Sequence, residues 1–493
     1  MGASETEDGW DQVLVDIKDY VFHYKIESTN AWRTSRTAFL DALACAVESI
    51  QTSAECRSLL GPIVPGTIVP DGFRLPGTSY QLDPLKGAFD FATAIRYLDH
   101  NDTLGGADWG HPSDNLGALL AVMDWLCRSV RSGRIVHSGP PLTMKTLLEA
   151  MIKAYEIQGV FLLSNPFNAH GLDHIILVKL ASTAVVSWLL GLSEVQTLAA
   201  ISHVWMDGAA LRIYRSGSNT IPRKGWAAGD ACMRAVRLAL LIRGGQLGSK
   251  TVLTMPRWGF YSNLWAGGQF ELSQTFGTWA IENIFFKVMP VEGHSISAVE
   301  AALVQHARLR SLGYDAEKHI AKVEVRTNGA ANMIINKTGL LHNAADRDHC
   351  MQYSLAVALL KGDVPAVDDY QDSSAWASSP AVEALRSRIV IREDEQFTKD
   401  YLDREKKSVS SGVLLSLSDR KILEEVLVEY PVGHIKHPKT LERVGRKFDS
   451  SMTLLFTKAQ ITQIVQVVEL ADATPITDLV DLLARSQETI MKM

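Results

Sequence analysis

The chain holds 493 residues with a formal net charge of -6, 46% apolar and 21% charged residues, and five cysteines. That length suits two or three domains, and the composition is that of a soluble globular protein rather than a disordered one. An acidic balance without any long Lys/Arg cluster argues against a nucleic-acid partner, and the cysteines at 45, 56, 127, 232 and 350 form no C-x-x-C pair that would suit a zinc ribbon, a disulfide scaffold or an iron–sulfur cluster.

Taken in chain order, the first half predicts helix after helix. Apolar residues recur with helical spacing, or in unbroken runs, over Trp32 to Ile50, Lys86 to Leu98, Asp114 to Val130, Thr143 to Ile157, Ile175 to Leu192, Ser193 to Tyr214 and Gly229 to Ile242. One extended patch is expected early, from Pro62 to Leu75, where Pro and Gly alternate with Ile and Val. Ile175 to Leu192 is apolar enough to suggest a membrane span, but Lys179, Ser182, Thr183 and Ser187 interrupt it, so a buried central helix is expected and no membrane partner. The N-terminus carries Glu5, Glu7, Asp8 and Asp11 with no arginine before Arg33, unlike a mitochondrial presequence, which points to the cytoplasm.

The character changes near residue 280. A helix from His294 to Leu312 precedes an alternating strand, Ala321 to Arg326, and a hairpin is expected from Gly412–Leu417 and Glu424–Tyr430 around Ser418-Asp419-Arg420. Helices return over Thr457 to Leu470 and Ile476 to Gln487. The expected fold is therefore mainly α: a large all-helical domain with a smaller inserted α+β lid domain. Its parts are residues 1–280, a lid at 281–432, and C-terminal helices at 433–493 that rejoin the first domain.

Chemistry concentrates in Asp99-His100-Asn101-Asp102-Thr103 and Trp109-Gly110-His111-Pro112-Ser113-Asp114-Asn115, which crowd carboxylates, a hydroxyl and imidazoles into one short span. Gly110 and Pro112 fix a turn around His111, as an active-site loop requires. Lys287 stands in the apolar run Phe285, Phe286, Val288 and Met289, where an ammonium needs an anion or must reach solvent along its stem. His170 and His174 have the i,i+4 spacing of a metal site, but Gly171 lies between them and no companion Glu is present, so no metal is expected.

These blocks, with Asn168 to His174, Arg223-Lys224-Gly225-Trp226-Ala227-Ala228-Gly229-Asp230, Phe286-Lys287 and Asn343 to Cys350, resemble the 2-methylcitrate dehydratase branch of the MmgE/PrpD family, which also contains cis-aconitate decarboxylase. The resemblance runs from about residue 30 to the final helices. It implies a helical domain with a lid, a homodimer, and a hydro-lyase that needs no cofactor and acts on a small tricarboxylate.

Carried over by position, the resemblance implies that Asp99, His111, His174 and Lys287 are catalytic. His111 would work on the reacting proton or hydroxyl, Asp99 would orient an imidazole, and His174 would be the second acid/base group. Thr103, Lys224, Arg223, Arg347 and His294 would bind substrate, because three carboxylates must be matched by cations and oriented donors. Asp346 and Asp348 are expected to form a salt-bridge network that fixes the lid. Departures from the family pattern at His100, Asp108, Leu340 and Ala344, together with the absent presequence, favour a 2-alkylcitrate longer than methylcitrate. The competing readings are a housekeeping 2-methylcitrate dehydratase, a cis-aconitate-type decarboxylase, and a non-catalytic tricarboxylate-binding homologue.

Overall fold

The computed structural model describes residues 9–208, 210–215 and 220–485 of the chain. The acidic positions Glu5, Glu7 and Asp8, and the predicted helix end at Gln487, lie outside them. Among the described residues the protein is mainly α-helical, with one four-stranded sheet and two minimal strand pairs.

Local chemistry places the helices. The helix Pro84–Arg96 starts where the Asp83 carboxylate accepts from the backbone N–H groups of Leu85 and Lys86 and Pro84 supplies a helix-ready φ. Arg223–Arg243 begins directly after Pro222, so Lys224 lies in the first turn of a helix that the apolar pattern predicted only from Gly229. The predicted Ser193–Tyr214 helix stops at Val204; Gly208, at φ +91°, follows, and Arg212–Tyr214 form a separate 3-10 turn. In the patch from Pro62 to Leu75 only Phe73–Arg74 is strand, paired with Gln81–Leu82; the prolines and glycines make turns instead.

Three of these helices pack unusually close. A Cβ on Gly229 would stand 2.3 Å from Thr93 Oγ1 and 2.5 Å from the Phe89 carbonyl oxygen, and one on Gly117 would meet Ala92 N at 2.6 Å. Only glycine lets Arg223–Arg243 and Leu116–Arg131 press onto Pro84–Arg96. That approach carries Lys224 to the C-terminal end of Pro84–Arg96, where Asp99 emerges.

Buried apolar side chains form two clusters. One gathers residues from Trp10 to Phe286 and adds Phe448, Met452, Ile464, Leu479 and others from the C-terminal helices. The second runs from Phe285 to Leu423. In the second, the sheet has the order Ile389–Glu393, Ile320–Thr327, Ser411–Leu417, Ile422–Val428, the first pair parallel and the others antiparallel. Helices Ile296–Ser311 and Met351–Lys361 complete this unit, the former packed on the sheet. Ile389–Glu393 is a strand that the hydrophobic pattern did not announce. Among the described residues no helix is long and apolar enough to cross a membrane.

Candidate active site

The site lies where the two clusters meet. An antiparallel bridge joins Thr103 to Phe285, each N–H donating to the other's carbonyl at 2.8 Å, and Phe286 N donates to Gly433 O at 2.9 Å. Two residues past the bridge, Lys287 reaches back: Nζ donates to the Asp99 carbonyl at 3.0 Å and to Asp99 Oδ1 at 2.8 Å. Asp99 itself sits just past the helix end at φ 55°, a left-handed conformation that Asp tolerates better than most residues. Lys447, from the helix Thr440–Met452, locks the seam by donating to the carbonyls of His100 (2.6 Å) and Lys287 (2.9 Å) while pairing with Asp41 at 2.8 Å.

Asp99 is surrounded by cations. Arg96 pairs with its Oδ1, Lys224 Nζ lies 3.6 Å from Oδ2, and His349 Nε2 lies 3.9 Å from the same atom. Burial opposes its charge, but Arg96, Lys287, Lys224 and His349 outweigh burial and hold the carboxyl well below the usual range. Lys224 also donates to both oxygens of Asp348, at 2.7 and 2.6 Å, and faces His349 Nδ1 at 3.2 Å; Asp348 pairs with that same ring nitrogen. The donor atoms of Asp99, Asp348 and His349 are close enough together to suggest a metal site, but the Lys224 ammonium already stands among them. A second cation would meet its repulsion there.

His111 is held by backbone. Its Nδ1–H donates to the Asp102 carbonyl at 2.7 Å, which leaves Nε2 with a free lone pair in the neutral ring. Asp102 is braced in turn: its carboxylate accepts from Ser113 N (3.1 Å), Ser113 Oγ (2.7 Å) and Tyr155 OH (2.7 Å). Asp99 therefore orients Lys287 and Lys224, and the imidazole-orienting role expected of it falls to the Asp102 carbonyl. The rings of His111 and His174 lie 5.8 Å apart. Burial, reinforced by the positive field of Arg96 and Lys287, pushes His111 well below the ordinary histidine value. Burial likewise pushes His174 down to about 3, and its Nδ1 has no hydrogen-bond partner. A pair of neutral imidazoles thus stands beside an Asp–Lys–Arg cluster, an arrangement suited to moving a proton next to an anionic guest.

The remaining predicted residues divide. Thr103 Oγ1 donates to Gly110 O at 3.1 Å, and its methyl group flanks Gly293 together with Lys287 Cε. His294 pairs through Nδ1 with Glu292 at 3.0 Å, meets Tyr401 OH at 3.1 Å through Nε2, and lies edge-on to Trp109 at 6.0 Å. Burial opposes the charge of Glu292, yet His294, Lys287 and His349 bring it to about 2.

Arg223 and Arg347 point elsewhere. Arg223 is partly exposed, stacks on Trp226 at 4.3 Å and faces Asp230 at 3.5 Å. Arg347 donates to the Tyr370 carbonyl and to Asp372, both at 2.7 Å. Asp346 does form a network, with Lys337 at 2.6 Å, whereas Asp348 turns into the Lys224 cluster. His170 stacks on Trp265 at 4.0 Å, away from any pairing with His174. Arg96, His349, Glu292 and Lys447 were not singled out from sequence. Arg96, three residues before Asp99, and the adjacent Asp348-His349 pair carried the available signals.

Family comparison identifies the chain's relatives. The MmgE/PrpD N-terminal domain profile matches residues 15–273 and the MmgE/PrpD C-terminal domain profile matches residues 289–470; the chain belongs to the MmgE/PrpD family. Among its relatives, the alkylcitrate dehydratase phiI of Fungal sp. (strain ATCC 74256) is 57% identical over 92% of this chain and 90% of the relative. The alkylcitrate dehydratase phiI of Talaromyces stipitatus is 52% identical, with 92% of each chain covered. The 2-methylcitrate dehydratase of Escherichia coli K12 is 47% identical, also over 92% of each chain.

Proposed function

We propose that the protein is a hydro-lyase that eliminates water from a 2-alkylcitrate to give an alkyl-cis-aconitate-type alkene, in a specialised biosynthetic pathway. The observation that carries the reading is the free Nε2 of a neutral, backbone-oriented His111 beside Lys287, Asp99 and His174.

A bound tricarboxylate offsets the field of Arg96 and Lys287, which raises the basicity of His111. Nε2 then takes the proton from the carbon next to a carboxylate, the C–O bond to the hydroxyl breaks, and the double bond forms between the two carbons. The Lys287 ammonium gives its proton to the departing hydroxyl, which leaves as water, while His174 shares the proton traffic and Thr103, Lys224 and His294 position carboxylates. No metal takes part. Residues 281–432 act as a lid over residues 1–280 and 433–493, and the chain works as a homodimer; these features rest on the family likeness.

The alkyl preference is supported by the 57% identity to an alkylcitrate dehydratase against 47% to the bacterial methylcitrate enzyme. The second reading, a housekeeping 2-methylcitrate dehydratase, is favoured by the same 47% identity over nearly the whole chain. Comparing kcat/KM for 2-hexylcitrate and 2-methylcitrate separates them. Higher kcat/KM for the hexyl compound is expected; equal or better turnover of the methyl compound assigns the housekeeping role.

A further inference from the structure

Arg212 and Arg215 share one carboxylate. Arg215 Nε donates to Asp173 Oδ2 at 2.8 Å and Arg212 Nη1 lies 3.7 Å from the same oxygen, with the two side chains only 5% and 8% exposed. Two guanidinium nitrogens, Arg212 Nη1 and Arg215 Nη2, have no hydrogen-bond partner although both are buried. Leaving such buried donors unmatched is unfavourable, so the pair calls for a ligand.

Both arginines line a cavity of about 250 Å³ with Trp109, Asn168, Asn336 and Lys337. The neighbouring acids leave these donors unpaired, although the charge of Arg212 acts on Asp108. Lys337 is matched by Asp346 at 2.6 Å, and Asp108 accepts from the backbone N–H groups of Trp109 (2.9 Å) and Asn168 (2.8 Å). Asp173 and Asp108 together face the two guanidiniums, so what the pair offers a ligand is its unpaired N–H donors rather than an excess of charge.

The two arginines, which line the cavity, also act on the imidazole pair, their charge helping burial to hold His174 neutral. Asp173 Oδ1 lies 3.8 Å from His174 Nε2, and Trp109, whose ring carries the Arg212 guanidinium at 4.7 Å, is two residues from His111. We infer that Arg212 and Arg215 form a carboxylate clamp that anchors one arm of the substrate, in place of Arg223 and Arg347, which the fold commits elsewhere. The inference rests on the tricarboxylate reading above. A planar guanidinium pair matches the two oxygens of a carboxylate, and its free donors supply the directed hydrogen bonds that a lysine point charge lacks.

The test measures binding of the unreactive probe tricarballylate by calorimetry, alongside turnover of 2-methylcitrate. Arg212→Gln should weaken tricarballylate binding about 10- to 100-fold and raise KM more than it lowers kcat. Met333, 65% exposed on the residues that line the cavity mouth, gives a second pair of variants that leave buried contacts intact. Met333→Glu should weaken binding and Met333→Lys tighten it, each up to about fivefold at low salt.

Unchanged affinity in Arg212→Gln, or in both Met333 variants if Arg212→Gln does not fold, overturns the clamp. If such variants also turn over normally, the dehydratase reading survives without it. A wild-type protein that binds tricarballylate through Arg212 but never dehydrates keeps the clamp and loses the enzyme. Displacement of the probe by equimolar inorganic phosphate would reassign the clamp to phosphate and overturn the carboxylate assignment.

Discussion

With the Nδ1–H of His111 committed to the Asp102 carbonyl, only Nε2 is free to exchange a proton, so the catalytic role proposed for this ring rests on one atom. His111→Ala should lower kcat by about 10²–10⁴-fold, the usual range for a positioned acid/base group, with an unchanged circular dichroism spectrum. Normal turnover by a folded His111→Ala protein removes His111 from the chemistry. The buried imidazoles also set a pH dependence. His174 titrates near 6.5 in the unfolded chain and about 3 in the folded protein, so between those values the unfolded state binds a proton that the folded state refuses. The contribution of His174 to stability is therefore complete above about pH 6.5 and is lost as the pH drops, by about 1.4 kcal/mol per unit, while the buried carboxyls of Asp102 and Asp114, raised by burial to about 6 and about 7, contribute with the opposite sign. Asp99, with its carboxyl depressed, adds a further loss only below about pH 4. The pH slope of stability from urea unfolding between pH 4 and 6.5 should differ between wild type and His174→Gln by one proton, the variant losing less on acidification; an identical slope contradicts a neutral buried His174. At this scale the sequence pointed to His111 and Lys287 as candidates, because Gly110 and Pro112 frame the one and an apolar run frames the other. It did not show their partners: a backbone carbonyl orients His111, and nothing in a residue's identity announces that bond.

Helix packing converts those residues into a site. Arg223–Arg243 delivers Lys224 to Asp99 only because Gly229 lets it lie against Phe89 and Thr93. Gly229→Val should destabilise the protein by about 1–3 kcal/mol through overpacking. The same shift moves Lys224 away from Asp99 and Asp348, so kcat/KM should fall beyond what the lost stability explains. A thermal midpoint and activity equal to wild type would show that the close approach is dispensable. Helices were legible where a long apolar stripe marked them, as over Trp32 to Ile50 inside Thr29–Thr52. The start of Arg223–Arg243 was not, because its first turn carries Arg223, Lys224 and Gly225 rather than an apolar stripe. Ile389–Glu393 escaped for another reason: a five-residue strand has too little alternation to stand out, and its parallel pairing to Ile320–Thr327 is a long-range contact that local pattern does not encode.

Across the whole molecule the candidate site falls on the seam between the two buried clusters. The Thr103–Phe285 bridge and Lys447 tie that seam together, and the bridge brings Lys287 to Asp99. The mainly helical character and the family blocks were readable along the chain. The seam was not, since Lys447 reads as an ordinary surface cation of an amphipathic helix until its carbonyl partners are seen. Arg223 and Arg347 show the converse: their types suited anion binding, but Trp226, Asp230, Tyr370 and Asp372 hold them elsewhere. The most direct measurement is the ultraviolet absorbance of purified protein mixed with 2-methylcitrate or 2-hexylcitrate at neutral pH without added metal. A steady rise as the conjugated alkene forms, abolished in His111→Ala, is the predicted result; a flat trace from folded wild-type protein with both substrates would contradict the account.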